Sequence, residues 1–129
     1  MRLLLDAHAL IWWLGDDDRL SARARRAIET SEDARIGAGT LMEIAIKRSL
    51  GKLETDEDWG EQAQADGFGV LAISWPHVNR LQKLSYPRIG ASAHRDPFDR
   101  LLAAQSLSDG TPVVTRDPAF PAYGVTVVW

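Results

Sequence analysis

Five short apolar runs, none alternating strictly with polar residues, punctuate the chain at residues 2–5, 34–37, 70–73, 113–115 and 125–128. A strand with one face in water alternates in hydrophobicity, whereas a strand covered on both faces does not. Helix-type segments separate these runs. Ser21 is placed to cap a helix running to about Thr30, and Thr40 to cap the segment 41–50, which Gly51 closes. Pro76 opens a further helix at its first position. Asp96-Pro97 opens the next, which runs to about Ser108 and stops at Asp109-Gly110. Strands separated by helices predict a three-layer α/β/α sandwich around a central parallel five-stranded sheet. A length of 129 residues fits one domain spanning the chain.

Composition narrows the chemistry. The chain has no cysteine, which removes disulfides, zinc–thiolate sites and a cysteine nucleophile together. The apolar stretch after Met1 meets Asp6 too soon for a secretory signal, and no run is long enough to span a bilayer. A cytoplasmic protein without membrane contact is therefore expected. Net charge is −3, but Glu54, Asp56, Glu57, Asp58, Glu61 and Asp66 crowd one segment that holds no base. The remainder has a small positive excess, so a polyanionic substrate stays open once the acids discussed below carry a cation.

Asp6 directly follows the first apolar run and Asp117 follows the fourth, so both fall at the carboxyl edge of the expected sheet, where ligands of such sheets bind. Each also has a plain structural reading, as a turn or helix cap. Glu43 lies in Leu41-Met42-Glu43-Ile44-Ala45-Ile46, a helix apolar around most of its circumference, where a carboxylate needs a cation or a partner such as Lys47 one turn on. Asp99 falls in the first turn after Asp96-Pro97; Asp96 reads mainly as the cap and Asp99 as a ligand aimed toward Asp6. Four convergent carboxylates repel one another unless a cation intervenes. An all-oxygen set favours magnesium, with manganese as the alternative. Carboxylate-held magnesium suits hydrolysis of a phosphodiester by water. His8, His77 and His94 are scattered without metal-ligand spacing; His94, just before Arg95-Asp96, reads as a surface residue, with contact to substrate as the alternative. No nucleophile elbow, phosphate-binding loop or dinucleotide fingerprint occurs.

Together these segments resemble the PIN-domain family, and within it the VapC-type toxins of bacterial toxin–antitoxin pairs. Leu4-Leu5-Asp6-Ala7-His8-Ala9-Leu10 is similar to the family's opening, although Ala7 stands where threonine is usual. Glu43 matches the second acid, and Leu50-Gly51-Lys52-Leu53 fits the same subgroup. Within His94-Arg95-Asp96-Pro97-Phe98-Asp99-Arg100, Asp99 matches the third acid, and Thr115-Arg116-Asp117 matches the closing Thr-x-Asp. The resemblance covers almost the whole chain. It implies a magnesium-dependent ribonuclease, a homodimer, and a cognate antitoxin whose tail occupies a groove of the toxin. Asp6, Glu43, Asp99 and Asp117 would then be catalytic and metal-binding, with Thr115 nearby as a hydrogen-bond donor.

Three flanking features complete the expectation. Arg95, Arg100 and Arg116 adjoin the acids and are placed either to grip RNA phosphates or to pair with those acids. Residues 9–14, including Trp12 and Trp13, have no polar face, and read either as core or as a contact for a partner chain. Arg23, Arg25 and Arg26 read as a solvated face, as does the acidic stretch. Two rival functions remain at this level: another magnesium-dependent phosphoester hydrolase, or a non-catalytic RNA- or protein-binding module in which the acids only cap helices or pair with arginine.

Overall fold

The computed structural model describes all residues, 1–129. In chain order the elements are β1 (Arg2–Leu5), α1 (Ala7–Leu14), α2 (Ala22–Thr30), β2 (Asp33–Gly37), α3 (Ala38–Ser49), α4 (Trp59–Ala65) and β3 (Gly69–Leu71). They continue with α5 (Trp75–Lys83), β4 (Arg88–Ile89), β5 (Ser92–Ala93), α6 (Pro97–Asp109), β6 (Val113–Val114), α7 (Ala119–Ala122) and β7 (Val127–Val128). The main sheet is five-stranded in the order β3-β2-β1-β6-β7, and every pairing in it is parallel. β4 and β5 form a separate antiparallel hairpin before α6.

The order places β1 at the centre. The chain leaves it toward β2 and β3 on one side and returns to β6 and β7 on the other. The reversal falls between β1 and β6, and such a switch point opens a crevice beyond the carboxyl ends of the two strands. β1 sits there because it is buried on both faces. Leu3 and Leu5 join the cluster built with Ala9, Leu10 and Trp12 of α1, Ala24 and Ile28 of α2, and Ile44 of α3. Leu4 joins the opposite cluster with Leu102, Ala103, Phe120 and Tyr123. A two-residue side-chain period thus feeds two cores, and each fully buried leucine contributes about 2 kcal/mol.

Helices α3 and α6 cross closely. A Cβ added at Gly39 would lie 2.5 Å from Leu101 Cδ2, and one added at Gly37 would lie 2.6 Å from Gln105 Oε1. The two glycines therefore let the start of α3 sit against α6, which sets Glu43 beside the first turn of α6.

Several local expectations shift. The helix expected to start after Thr40 starts at Ala38 with Gly37 as its cap, so Thr40 lies inside the first turn, buried. Pro76 is the second residue of α5, and Ser74 is the cap, in a reciprocal capping box with His77. The strands at 113–115 and 125–128 are cut back to Val113–Val114 and Val127–Val128, and the one at 70–73 is shortened and begins one residue earlier, as Gly69–Leu71. Asp96 caps α6, and Gly110 closes it in the left-handed region at φ 65°. No helix is long and apolar enough to cross a membrane.

Candidate metal centre

Asp6 and Asp117 reach the switch-point crevice by local rules. Asp6 ends β1 and caps α1: its Oδ1 accepts from the Ala9 amide at 2.8 Å. Its Oδ2 accepts from the Thr115 hydroxyl at 2.5 Å, which ties the end of β1 to the residue after β6. Both Asp6 oxygens thus have donors although residue 7 has no hydroxyl. Thr115 Oγ1 in turn accepts from the Asp117 amide at 3.0 Å, and Asp117 Oδ1 accepts from the Ala119 amide at 2.9 Å. Asp117 is therefore both a turn aspartate and a neighbour of Asp6, whose proton affinity its charge helps to raise.

Glu43, Asp96 and Asp99 form the tightest group, with one ligand atom from each within 4.8 Å of the others. Glu43 is buried and accepts from Lys47 Nζ at 2.8 Å. The pairing partner foreseen in sequence is present, and the residue is in the acid group as well. Asp96 accepts from the Phe98 and Asp99 amides, both at 2.9 Å and both through Oδ1, so its other oxygen is free of backbone donors. Asp96, read in sequence as mainly a cap, stands in the cluster too.

The electrostatics follow from this crowding. Burial, then the charges of Asp96, Asp117, Glu43 and Asp6, push the Asp99 carboxyl up to about 7. Burial is also the main cause raising Asp6 above the ordinary carboxylate range. Lys47 is held above its usual value, first by its hydrogen bond to Glu43 and then by the charges of Glu43, Asp96 and Asp99. A group of half-buried carboxylates with one lysine against it has unmet demand for positive charge. Its donors are all oxygen. The residues therefore fit a hard divalent cation such as magnesium or manganese.

Behind Asp99 runs a hydrogen-bonded chain with a defined direction. Arg100 is buried, and its Nη1 donates to Ser85 O at 2.7 Å and to the Tyr123 hydroxyl at 3.2 Å, while Nη2 donates to Leu84 O at 3.2 Å. A guanidinium only donates, so the Tyr123 oxygen accepts and its proton is left for His94 Nδ1, 2.6 Å away. With Tyr123 donating to Nδ1, a neutral His94 carries its proton on Nε2 and donates to Asp99 Oδ2 at 3.2 Å. His94 is thus no surface residue. Sequence offered it a surface position or contact with substrate, and Tyr123, from a distant turn, carried no signal.

Two other sequence expectations are corrected. Arg100 is enclosed, its guanidinium lying 3.7 Å from the Tyr86 ring centre, so it positions the site rather than gripping a phosphate. Trp12 is buried, and Trp13 packs edge-on against Phe68 while its Nε1 donates to Asp66 at 2.9 Å, so neither offers a free apolar face to a partner. Arg95 and Arg116 remain exposed, Arg95 beside a groove shared with Val78, Tyr86 and Pro97. His77 is structural, between the Ser74 amide and Asp109.

This architecture has known counterparts. A protein named Ribonuclease VapC22, from Mycobacterium tuberculosis, is 27% identical over 89% of this chain and 86% of its own length. Among solved structures, the VapBC2 complex of Rickettsia felis bound to promoter DNA superposes with a TM-score of 0.69 at 11% identity, covering 98% of this chain and 97% of the matched one. A toxin–antitoxin complex from Klebsiella pneumoniae gives 0.61 at 20% identity, covering 98% and 96%. At such identities the superpositions speak for the fold. The family model described as PIN domain matches residues 3–125, from the first leucine of β1 to the residue before β7's approach, and the chain belongs to that family.

Proposed function

We propose that this chain is a magnesium-dependent endoribonuclease that hydrolyses RNA phosphodiester bonds with water as nucleophile, and that it acts as the toxin of a toxin–antitoxin pair. The observation that carries the reading is the gathering of Glu43, Asp96 and Asp99 within ligand distance, with Asp6 and Asp117 close enough to raise the proton affinity of Asp99. Structural ion pairs do not account for this group, because it holds more acids than bases. The related ribonuclease supports RNA as substrate.

Asp6, Glu43, Asp99 and Asp117 would hold the cation, with Asp96 as a further oxygen donor. When bound, the cation supplies Lewis acidity, which makes water a stronger acid and offsets charge developing on a phosphodiester. The chain's own groups prepare that site. Thr115 fixes Asp6 Oδ2. His94 holds its proton at Nε2 and so constrains Asp99 Oδ2. Lys47 balances part of the charge on Glu43. Exposed Arg95 and Arg116 are the cations available to phosphates of the strand.

A cognate antitoxin, a homodimer and a cytoplasmic setting belong to the same reading. The toxin–antitoxin complexes that share this fold support the first of these. The surface available to protein partners lies away from Trp12 and Trp13: Met42, Ile46 and Leu50 form an exposed stripe at helical spacing on α3 and just beyond it, and Trp75 and Tyr86 stand out around α5.

The test is cleavage of RNA, DNA and a phosphomonoester by purified protein with magnesium or with chelator. Only RNA with magnesium should be cut. Asp6→Asn and Asp99→Asn should each abolish cutting without unfolding the protein. A folded Asp99→Asn protein that still cleaves would overturn the assignment.

A further inference from the structure

Next to the carboxylates lies a second cavity, of about 440 Å³, lined by Asp6, His8, Trp12, Arg19, Arg116 and Asp117 together with Pro118 and Trp129. Its wall is unusual in what it does with two guanidinium groups. The Arg116 guanidinium lies 4.5 Å from the Trp12 ring centre and that of Arg19 lies 5.1 Å from the same ring. His8 stacks on this ring at 5.3 Å, and Trp129 meets it edge-on at 5.9 Å. Trp12 is therefore fully engaged and cannot itself stack on a base. It serves as a platform that holds two cations beside the cavity.

The two cations are not equivalent. Arg19 is already bound to Asp17, through Nε at 3.1 Å and Nη2 at 2.7 Å. Arg116 has no such carboxylate: it is exposed and carries neither an ion pair nor a hydrogen bond. It follows β6 directly, between Thr115, which is bonded to Asp6, and Asp117. A cation in that position, held on an aromatic face and without a hydrogen-bonded partner, lines the same cavity as Asp6 and Asp117. We propose that this cavity is a phosphate clamp that takes the backbone phosphate flanking the scissile bond of single-stranded RNA, with Arg116 as the principal contact and Arg19 as the second. Its volume exceeds that of a phosphate alone, and exposed His8 and half-buried Trp129 line the space left for the attached nucleoside.

The inference rests on the ribonuclease reading, and the experiment separates the two. The value of kcat/KM for a fluorogenic single-stranded RNA is measured with magnesium across a range of salt concentrations. The unaltered protein is compared with Arg116→Gln, Arg116→Lys and Arg2→Gln. Arg2 is exposed at the opposite, amino end of β1, so its loss removes one equal charge far from the crevice. Arg116→Gln is expected to lower kcat/KM about tenfold. It should also flatten the dependence of log kcat/KM on log salt by about 0.7, the signature of one lost contact to a single strand. Arg116→Lys should restore the slope, and Arg2→Gln should leave it unchanged. An Arg116→Gln protein that keeps the slope and loses no more rate than Arg2→Gln overturns the clamp and leaves the ribonuclease reading intact. No RNA cleavage by the unaltered protein overturns both.

Discussion

Asp99 shows most directly how function and stability oppose each other at a single side chain. Its carboxyl is pushed up to about 7 by burial and by Asp96, Asp117, Glu43 and Asp6. Above neutral pH and without a cation, its ionised form is a source of repulsion in the folded state. Asp99→Asn removes that charge while keeping the side chain's shape. At pH 8 in chelator the variant should melt higher than the unaltered protein, by roughly 5 °C, and magnesium should no longer raise its melting temperature. A melting temperature below that of the unaltered protein would mean that the charge contributes to folding. The residue behind it makes a second case. Tyr123→Phe takes away the proton that Nδ1 of His94 accepts, and with it the reason for Nε2 to carry the proton facing Asp99. Divalent-ion affinity, read by calorimetry, should fall roughly tenfold. Imidazole nitrogen NMR shifts should show the Nε2–H form giving way to a tautomer mixture. A fold defect alone would not move the tautomer.

Among the elements, the start of α6 carries the most roles in the fewest residues, and it is also where sequence was most informative. Asp96-Pro97 announces a helix start because an aspartate accepts from the free amides of the first turn and proline needs none. The structure bears this out, with both capping bonds present. What sequence could not supply is the second role of Asp96, which depends on where α3 lies. That placement comes from Gly37 and Gly39, whose missing side chains admit Gln105 and Leu101. A glycine beside a helix start reads as a turn, and nothing local says that another helix will press against it. The same blindness moved the α3 cap from Thr40 to Gly37. Two substitutions divide the roles of Asp96. Asp96→Asn keeps an oxygen for the cap, so stability should change by less than about 0.5 kcal/mol while magnesium affinity drops. Asp96→Ala should lose about 1 kcal/mol as well. Equal magnesium affinity in Asp96→Asn and the unaltered protein, by titration calorimetry, would reduce Asp96 to a cap.

At the scale of the whole molecule, the sheet order explains why carboxylates far apart in sequence meet. β1 and β6 are neighbours with the reversal of direction between them, so whatever follows each strand faces one crevice. Sequence made this legible because the apolar runs at residues 2–5 and 113–115 are each followed closely by aspartate. It left the rest hidden because the groups behind Asp99, Tyr123 above all, act through tertiary contact. The crevice also ties the stability of the molecule to pH. Between roughly pH 4 and 7 the folded chain keeps a proton on Asp99 that the unfolded chain, at its ordinary value of 3.8, has released. The folded state binds more protons across that window, so metal-free stability falls as pH rises through it. Asp6, raised in the same direction, adds to the slope. A divalent cation competes for the same oxygens and needs them deprotonated, so its affinity grows as pH approaches 7 and then levels. The stabilisation it brings increases with the ratio of its concentration to its dissociation constant. The melting temperature in chelator should therefore decline from pH 5 to pH 8, while the increment produced by a fixed magnesium concentration grows over the same range. Scanning fluorimetry at four pH values reads both. An increment that stays constant from pH 5 to 8 would place the cation away from Asp99, since no proton would then be displaced when it binds.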